Sequence, residues 1–463
     1  MKITFHGATQ EVTGSSHMLT VGDQNILLDC GLFQGRREEA MRKNRNPQCL
    51  PEKIEKVILS HAHMDHCGNL PSLYKKGFKG KIICTHATKD LVKPMLLDSA
   101  HIQEQDVMYF KKHNLELIGG DEPLYTTDDV TETLKQLYGV HYHEKTKIND
   151  NISLMFHDAG HILGSAISVL NINDAGVEKK LVFSGDLGRA GLPIIRSPEF
   201  IDSADYLIVE STYGNRTHEP VGNMESQLAN GINETIKNGG KILIPSFALE
   251  RTQEIVYHLN SLINKGVIPE IPIFVDSPLA TTVTEVFREH TECYDEEIKK
   301  QFLENQENPF GMGRVKYTQS VDESKSLNEM NGPIIIIAGS GMCEFGRIRH
   351  HLINNLSDPK CSVLIVGYQA QYTLGRKLIE GATNVKIFNS NVPVRAKIQK
   401  LDAFSGHADM NDLDEFVSKM KGLKKVFLVH GEPDQQEPFA ERLRKKTNAE
   451  IIIPQQCGDA YEI

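Results

Sequence analysis

Ser60-His61-Ala62-His63-Met64-Asp65-His66-Cys67-Gly68 is the stretch from which the chain is best read. It follows a short apolar run, Val57-Ile58-Leu59, that predicts a buried strand, and it leads into Asn69-Leu70-Pro71, where a helix can begin. His61 and His63 stand two apart in extended chain and so point the same way. Asp65 and His66, one bend further on, face a second point nearby. Four ligand-type side chains therefore converge from six residues. Imidazole nitrogen suits zinc and other borderline divalent ions, and a carboxylate serves as ligand or as proton acceptor for activated water. A histidine-rich surface turn is the competing reading for a lone His pair. The whole HxHxDH string, set between a strand and a helix, has the spacing that a metal motif requires.

HxHxDH resembles the signature of the metallo-β-lactamase superfamily, whose members usually carry a two-metal site. The resemblance implies further ligands, and the chain offers candidates. The predicted strand 152–156 runs into Asp158-Ala159-Gly160-His161, and Leu181-Val182-Phe183-Ser184 ends in Gly185-Asp186-Leu187-Gly188. Val426-Phe427-Leu428-Val429 delivers His430-Gly431-Glu432. By resemblance His161 matches the third histidine and Asp186 the carboxylate that bridges the metals. A first zinc then takes His61, His63 and His161, and a second takes Asp65 and His66 with His430 filling its remaining place. With Asp186 and a hydroxide bridging, both ions reach four or five coordination. Asp29, at the end of Ile26-Leu27-Leu28, matches an aspartate that orients metal ligands. The alternative for Asp29 is a turn-forming acid close to Gly31.

Length and composition agree with a large globular protein. The 463 residues are too many for one ordinary core and predict two or three domains. Hydrophobic and charged fractions of 40% and 24% are ordinary for that class. The net charge of −10 argues against a polyanion binder with a broad basic face, so any polyanion must meet a local positive patch or a metal centre. Met1-Lys2-Ile3-Thr4-Phe5 opens like a strand with no signal pattern, and no apolar run approaches membrane-spanning length. Cys30, Cys49, Cys67, Cys84, Cys293, Cys343, Cys361 and Cys457 form no CxxC pair. They predict free thiols in a reducing cytoplasm.

Residues 2–30 alternate turns with apolar strands and predict a hairpin-rich opening. Helices are predicted from Lys89 to Asn114, with Pro94 in the first turn, and from Thr127 to Leu137. His86, His101, His113, His141 and His143 lack ligand spacing and read as surface or packing histidines. Beyond about residue 205 the pattern becomes strand-then-helix, with Lys241-Ile242-Leu243-Ile244, Ile273-Phe274-Val275, Ile334-Ile335-Ile336-Ile337 and Val363-Leu364-Ile365-Val366 each followed by a helical stretch. Such β-branched runs predict a doubly wound parallel sheet, with its ligand edge at the strand carboxyl ends. Those ends carry Pro245-Ser246-Phe247, Asp276-Ser277-Pro278, Gly339-Ser340-Gly341 and Gly367-Tyr368-Gln369. After about 393 a hairpin character resumes. The expected division is a hydrolase domain over 1–204 and 393–463, interrupted by an inserted domain over 205–392.

Val209-Glu210-Ser211-Thr212-Tyr213-Gly214, Ser405-Gly406-His407-Ala408-Asp409 and Val429-His430-Gly431-Glu432 resemble motifs A, B and C of the β-CASP branch of the superfamily, the nucleic-acid nucleases. Ser246-Phe247-Ala248-Leu249, Asp276-Ser277-Pro278-Leu279-Ala280 and Ser340-Gly341-Met342 are similar to stretches of that branch too. The resemblance covers essentially the whole chain and is closest to RNA-processing members. DNA-repair members commonly have valine where His430 stands, so His430 points to RNA. The implied fold is an αββα metallo-β-lactamase sandwich interrupted by a β-CASP domain with a mainly parallel sheet flanked by helices. The implied function is a ribonuclease with two Zn2+ per chain, cytoplasmic, not membrane-bound and homodimeric. In that scheme a bridging hydroxide attacks phosphorus with Asp65 as ligand and proton acceptor. Glu210 orients His407, and His407 protonates the departing 3′ oxygen.

Without the family, Glu210 reads equally as a strand-end acid and His407 as a packing histidine. Ser340, Gly341 and Met342 are candidates for steering phosphate, assisted by Arg251, Arg347, Arg349 and Arg376 beside small-residue loops. RNA is expected to enter a cleft between the two domains, and no separate KH-type module is expected. Internal and 5′-end cleavage both stay open. So do two rival functions: a DNA- or thioester-directed hydrolase, and a non-catalytic RNA-binding scaffold.

Overall fold

A computed structural model describes residues 1–35, 37–46, 50–112, 122–304, 310, 313–367 and 369–463. Cys49, His113, Asn114 and Tyr368 lie outside the described residues. Two compact units make up the chain: Met1–Thr217 with His407–Ile463, and His218–Gly406.

The first unit holds two seven-stranded sheets. One runs Ala460–Glu462, Lys2–Phe5, His17–Val21, Gln24–Leu28, Lys56–Ile58, Lys81–Thr85, Leu137–Val140 in spatial order. Its first three joints are antiparallel and its last three parallel. The other runs Glu450–Ile452, Lys425–Val429, Tyr206–Glu210, Val177–Phe183, Ala166–Asp174, Ile152–Asp158, Thr146–Lys147, here parallel first and antiparallel after. Strict alternation along Ile152–Asp158 turns Ile152, Leu154 and Phe156 inward, where they meet Phe5, Leu19, Ile26, Leu28, Phe183 and Phe427 in a core between the sheets. On the outer face of the second sheet, Val182, Leu207, Val209 and Leu428 pack on Leu413, Phe416, Phe439 and Leu443. Those four come from the helices Met410–Lys419 and Pro433–Lys446. Covered on both faces, Tyr206–Glu210 is buried throughout, which is why it reads as an unbroken apolar run ending in an acid. The helices Leu70–Lys75, His86–Lys112 and Thr127–Leu134 pack together beside the first sheet, completing α/β/β/α layers.

The second unit is built on a six-stranded sheet ordered Val315–Tyr317, Ile273–Asp276, Ile335–Ala338, Ile242–Pro245, Ser362–Val366, Lys397–Leu401, with every joint parallel. The helices Arg251–Asn264, Pro278–Glu289, Ile348–Asn355 and Leu374–Ile379 follow four of these strands. Ile336, Val363 and Ile365 bury against Ile348, Leu352 and Leu378. The fold is therefore an α/β/β/α sandwich with an inserted parallel α/β domain, as the resemblance implied.

Several boundaries differ from the sequence expectation. The unit breaks fall at 217/218 and 406/407 rather than at 204/205 and 392/393. Tyr206–Glu210 pairs with Val177–Phe183 and Lys425–Val429, so it belongs to the first unit, while Lys397–Leu401 extends the inserted sheet through Ser362–Val366. The long helix starts at His86, which puts Pro94 inside it beyond the first turn. The helix opened by Thr126 stops at Leu134, and Leu137 already begins a strand.

Candidate metal centre

Every strand that feeds the centre delivers its donor just past its carboxyl end. Lys56–Ile58 leads to His61, Ile152–Asp158 to His161, Val177–Phe183 to Asp186 and Lys425–Val429 to His430. Close backbone approaches fix these loops. A Cβ on Gly188 would meet the carbonyl oxygen of Gly160 at 1.6 Å, so the Asp186 loop presses on the His161 loop where only hydrogen fits. The short helix Met64–Cys67 is tied to the end of Gln24–Leu28 by Cys30 N–H to the His66 carbonyl, 2.8 Å, and Leu32 N–H to the Met64 carbonyl, 2.9 Å.

The donors fall into two groups that share Asp186. In the first, His63 Nδ1 lies 3.2 Å from both His61 Nε2 and His161 Nε2. Asp186 Oδ2 is 3.7 Å from each of those Nε2 atoms. In the second, His66 Nε2 is 3.3 Å from His430 Nε2, which is 3.5 Å from Asp65 Oδ2. Asp186 Oδ1 faces this group, 3.3 Å from His66 Nε2. A tetrahedral zinc with ligands at about 2.05 Å has donor–donor edges of about 3.3–3.4 Å, so both groups have the spacing of a coordination shell. Buried Asp186 Oδ1 forms no hydrogen bond of good geometry among the described residues and has only imidazole nitrogens about it, His66 Nε2 at 3.3 Å and His430 Nδ1 at 3.5 Å, a setting that a cation would complete. Burial holds His63 down at about 4 and His61 well below its ordinary value, which leaves their lone pairs free for a cation. Burial also opposes charge on His66, but Asp186 and Asp29 outweigh it and raise that group well above the ordinary range.

Asp29 sits behind the ligands. Its Oδ2 is 2.7 Å from His66 Nδ1 and accepts from Ser60 Oγ at 2.9 Å and Ser15 Oγ at 3.1 Å; its Oδ1 accepts the Ser60 N–H at 2.8 Å. Ser60 Oγ in turn lies 3.0 Å from His61 Nδ1, and Thr212 Oγ1 lies 3.1 Å from His430 Nδ1. Ser15, Ser60 and Thr212 escaped sequence reading because a hydroxyl beside a ligand has no signature of its own. The adjacency of Ser60 to His61 was the one available hint.

Glu210 and His407 form a third group with Asp186. His407 Nδ1 is 3.2 Å from both Glu210 oxygens, and the Leu187 N–H donates to Glu210 Oε1 at 2.6 Å. Burial alone would depress His407, but Glu210, with Asp186 and Asp65 behind it, lifts the imidazole to about 9. Ser340, Gly341 and Met342 are in the other unit. There they knit loops together. Ser340 Oγ accepts from the Glu344 and Phe345 N–H groups, each at 3.1 Å, Gly341 O from Gln369 Nε2 at 3.0 Å, and Met342 O from Gly375 N–H at 3.1 Å.

Three family models match the chain: the metallo-beta-lactamase superfamily over residues 10–213, the Beta-Casp domain over 252–378, and the Zn-dependent metallo-hydrolase RNA specificity domain over 391–454. Among curated relatives, ribonuclease TTHA0252 of Thermus thermophilus is 37% identical over 94% of both chains. The RNase J-like protein of Methanocaldococcus jannaschii is 34% identical over 98% of this chain and 97% of its own. Endoribonuclease YSH1 of Eremothecium gossypii is 32% identical over 92% of this chain and 54% of its own. A solved structure of a protein of unknown function from Enterococcus faecalis covers 99% of both chains with a TM-score of 0.55 at 13% identity, a likeness of fold.

Proposed function

We propose a reaction and a substrate for this chain from one premise: it belongs to the β-CASP branch of the metallo-β-lactamase superfamily, the RNA-processing nucleases. The chain is a metallo-hydrolase that cuts RNA. Within that activity we assign two zinc ions, one held by His61, His63 and His161, the other by Asp65, His66 and His430, with Asp186 reaching both. When bound, zinc supplies Lewis acidity that activates water and neutralises charge on the phosphodiester. Asp65 stays anionic because His430 and His66 outweigh its burial and hold it below its ordinary value, and it would serve as ligand and as acceptor of the proton that water gives up. His407 turns Nδ1 toward Glu210, so Nε2 is the atom left to carry a proton to the departing 3′ oxygen. Glu210 fixes the ring orientation and keeps the imidazolium charged at neutral pH. Asp29 and Ser60 orient His66 and His61.

The observation that carries this reading is the carboxylate-paired His407, set against the same Asp186 that joins both donor groups. An acid placed there serves an alkoxide leaving phosphorus; a thioester needs none, since a thiolate departs unaided. A scaffold that had lost catalysis would have no use for seven intact donors.

The test uses end-labelled RNA bearing 5′-monophosphate or 5′-triphosphate, with wild type beside His407→Ala. Cleavage is expected to fall by roughly 10²–10⁴-fold in the variant while its metal content stays. Equal cutting by both removes His407 from the role of acid, and turnover of small thioesters without RNA cleavage rejects the substrate. A homodimer in the cytoplasm, away from membranes, completes the proposal. No helix among the described residues is long and apolar enough to cross a membrane. Sedimentation velocity showing only monomer rejects the dimer.

A further inference from the structure

One grouping of metal-type side chains among the described residues shares no member with that centre: His143, His157 and Glu199. His143 stands in the turn after the strand Leu137–Val140, His157 lies within Ile152–Asp158, and Glu199 comes from the loop before Tyr206–Glu210. His143 Nε2 is 2.9 and 3.0 Å from Glu199 Oε1 and Oε2, and His157 Nδ1 is 3.1 Å from Oε2. The two imidazoles meet edge to face with centroids 5.2 Å apart. All three side chains are partly open to solvent, so an ion can reach them.

The backbone is shaped to hold this arrangement. His143 adopts a φ of +61°, in the left-handed region that few side-chain-bearing residues enter and histidine enters more readily than most. Its N–H donates to the Phe156 carbonyl at 2.9 Å, beside His157. Glu199 is pinned in turn: its N–H donates to the Asp158 carbonyl at 2.9 Å, and its Oε1 accepts the Asp158 N–H at 3.1 Å. The carboxylate is therefore presented, fixed in place, between two imidazole nitrogens.

We propose that His143, His157 and Glu199 bind a divalent cation of the zinc type at a site separate from the catalytic centre, and that this ion clamps the loop carrying His161. Two imidazoles and one carboxylate suit Zn2+, Co2+ and Ni2+ and are a poor set for Mg2+ or Ca2+, which want oxygen ligands. Three protein donors leave a position for water, in keeping with the half-open surroundings. The clamp follows from the packing. Glu199 is bonded twice to Asp158, which begins Asp158-Ala159-Gly160-His161, and a Cβ on Gly160 would meet Pro198 Cδ at 2.5 Å and the Arg196 carbonyl oxygen at 2.9 Å. An ion that ties Glu199 to the two strand-borne histidines thus restrains the segment from which His161 projects.

The experiment takes the full-length protein, strips it with chelator, reloads it with zinc at neutral pH, removes the excess and counts zinc per chain. Wild type is compared with His143→Gln and Glu199→Gln. Each variant is expected to hold one zinc fewer than wild type and to show a smaller zinc-dependent rise in thermal midpoint. Cobalt-loaded protein is expected to lose part of its visible absorption in the same variants. Because the readout is a difference, it does not depend on how many ions the catalytic centre holds. His143 is half exposed, so His143→Gln decides the matter even if Glu199→Gln folds badly. Equal zinc content in wild type and His143→Gln overturns the proposal and leaves the cluster as a pair of histidine–glutamate hydrogen bonds.

Discussion

In the role proposed for it, His407 depends as an acid above all on one neighbour. Burial by itself would strip its proton near neutrality, and the Glu210 carboxylate, 3.2 Å away and buried, reverses that to give a value of about 9. The folded-state value is raised, so the protonated imidazole persists from acid pH up to that point and is lost as pH rises through about 9. Two consequences share this sign. The pair's contribution to stability is complete below the ordinary histidine value and disappears above the raised one. Cleavage is expected to fall on the alkaline side as the imidazolium loses its proton, and Glu210→Gln is expected to move that limb to lower pH in a rate profile taken with metal in excess. An alkaline limb unmoved by Glu210→Gln would mean that some other group supplies the proton. Side chains of this kind were only half legible in the sequence. HxHxDH has a spacing that announces itself, but Glu210 and His407 are 197 positions apart, and only a folded chain or a familiar motif joins them.

At the scale of elements, short parallel strands end in loops that cross within van der Waals limits, and glycine is what lets them. Gly188 is the tightest case that touches two ligand loops at once. Gly188→Ala is expected to destabilise the protein by about 1–3 kcal/mol through forced separation of the His161 and Asp186 loops. The measurement is a denaturant midpoint with and without zinc, and an unchanged midpoint with full zinc content would show that the loops have room to part. The strands themselves were readable because Ile242–Pro245, Ile335–Ala338 and Ser362–Val366 are buried on both faces and therefore uniformly apolar. Their boundaries with the neighbouring unit were less so. Tyr206–Glu210 is as buried as those strands but pairs with Val177–Phe183, and Lys397–Leu401 is mostly polar yet lies parallel at the edge of the inserted sheet. Pairing partners are a long-range property, and local pattern does not encode them.

Across the whole molecule, a chain of net charge −10 acts on a polyanion, which places the burden of substrate attraction on local cations and on metal. The first unit supplies all seven candidate metal donors, with His407 and Glu210, from segments as far apart as residues 61 and 430, because both of its sheets direct parallel strand ends to one rim. The expected loop for phosphate, Ser340-Gly341-Met342, lies in the inserted unit, where Ser340 Oγ accepts from the Glu344 and Phe345 N–H groups and the Gly341 carbonyl from Gln369; its use in steering phosphate is an expectation of the sequence. At the centre of the proposed reaction, activated water attacks phosphorus in line with a 3′ oxygen protonated by His407. The most direct measurement is the chemistry of the cut ends of a defined RNA after digestion by zinc-loaded protein. A 5′-phosphate on the downstream fragment and a 3′-hydroxyl on the upstream one are expected. A 2′,3′-cyclic phosphate with a 5′-hydroxyl, the mark of attack by the ribose itself, would contradict the proposed reaction.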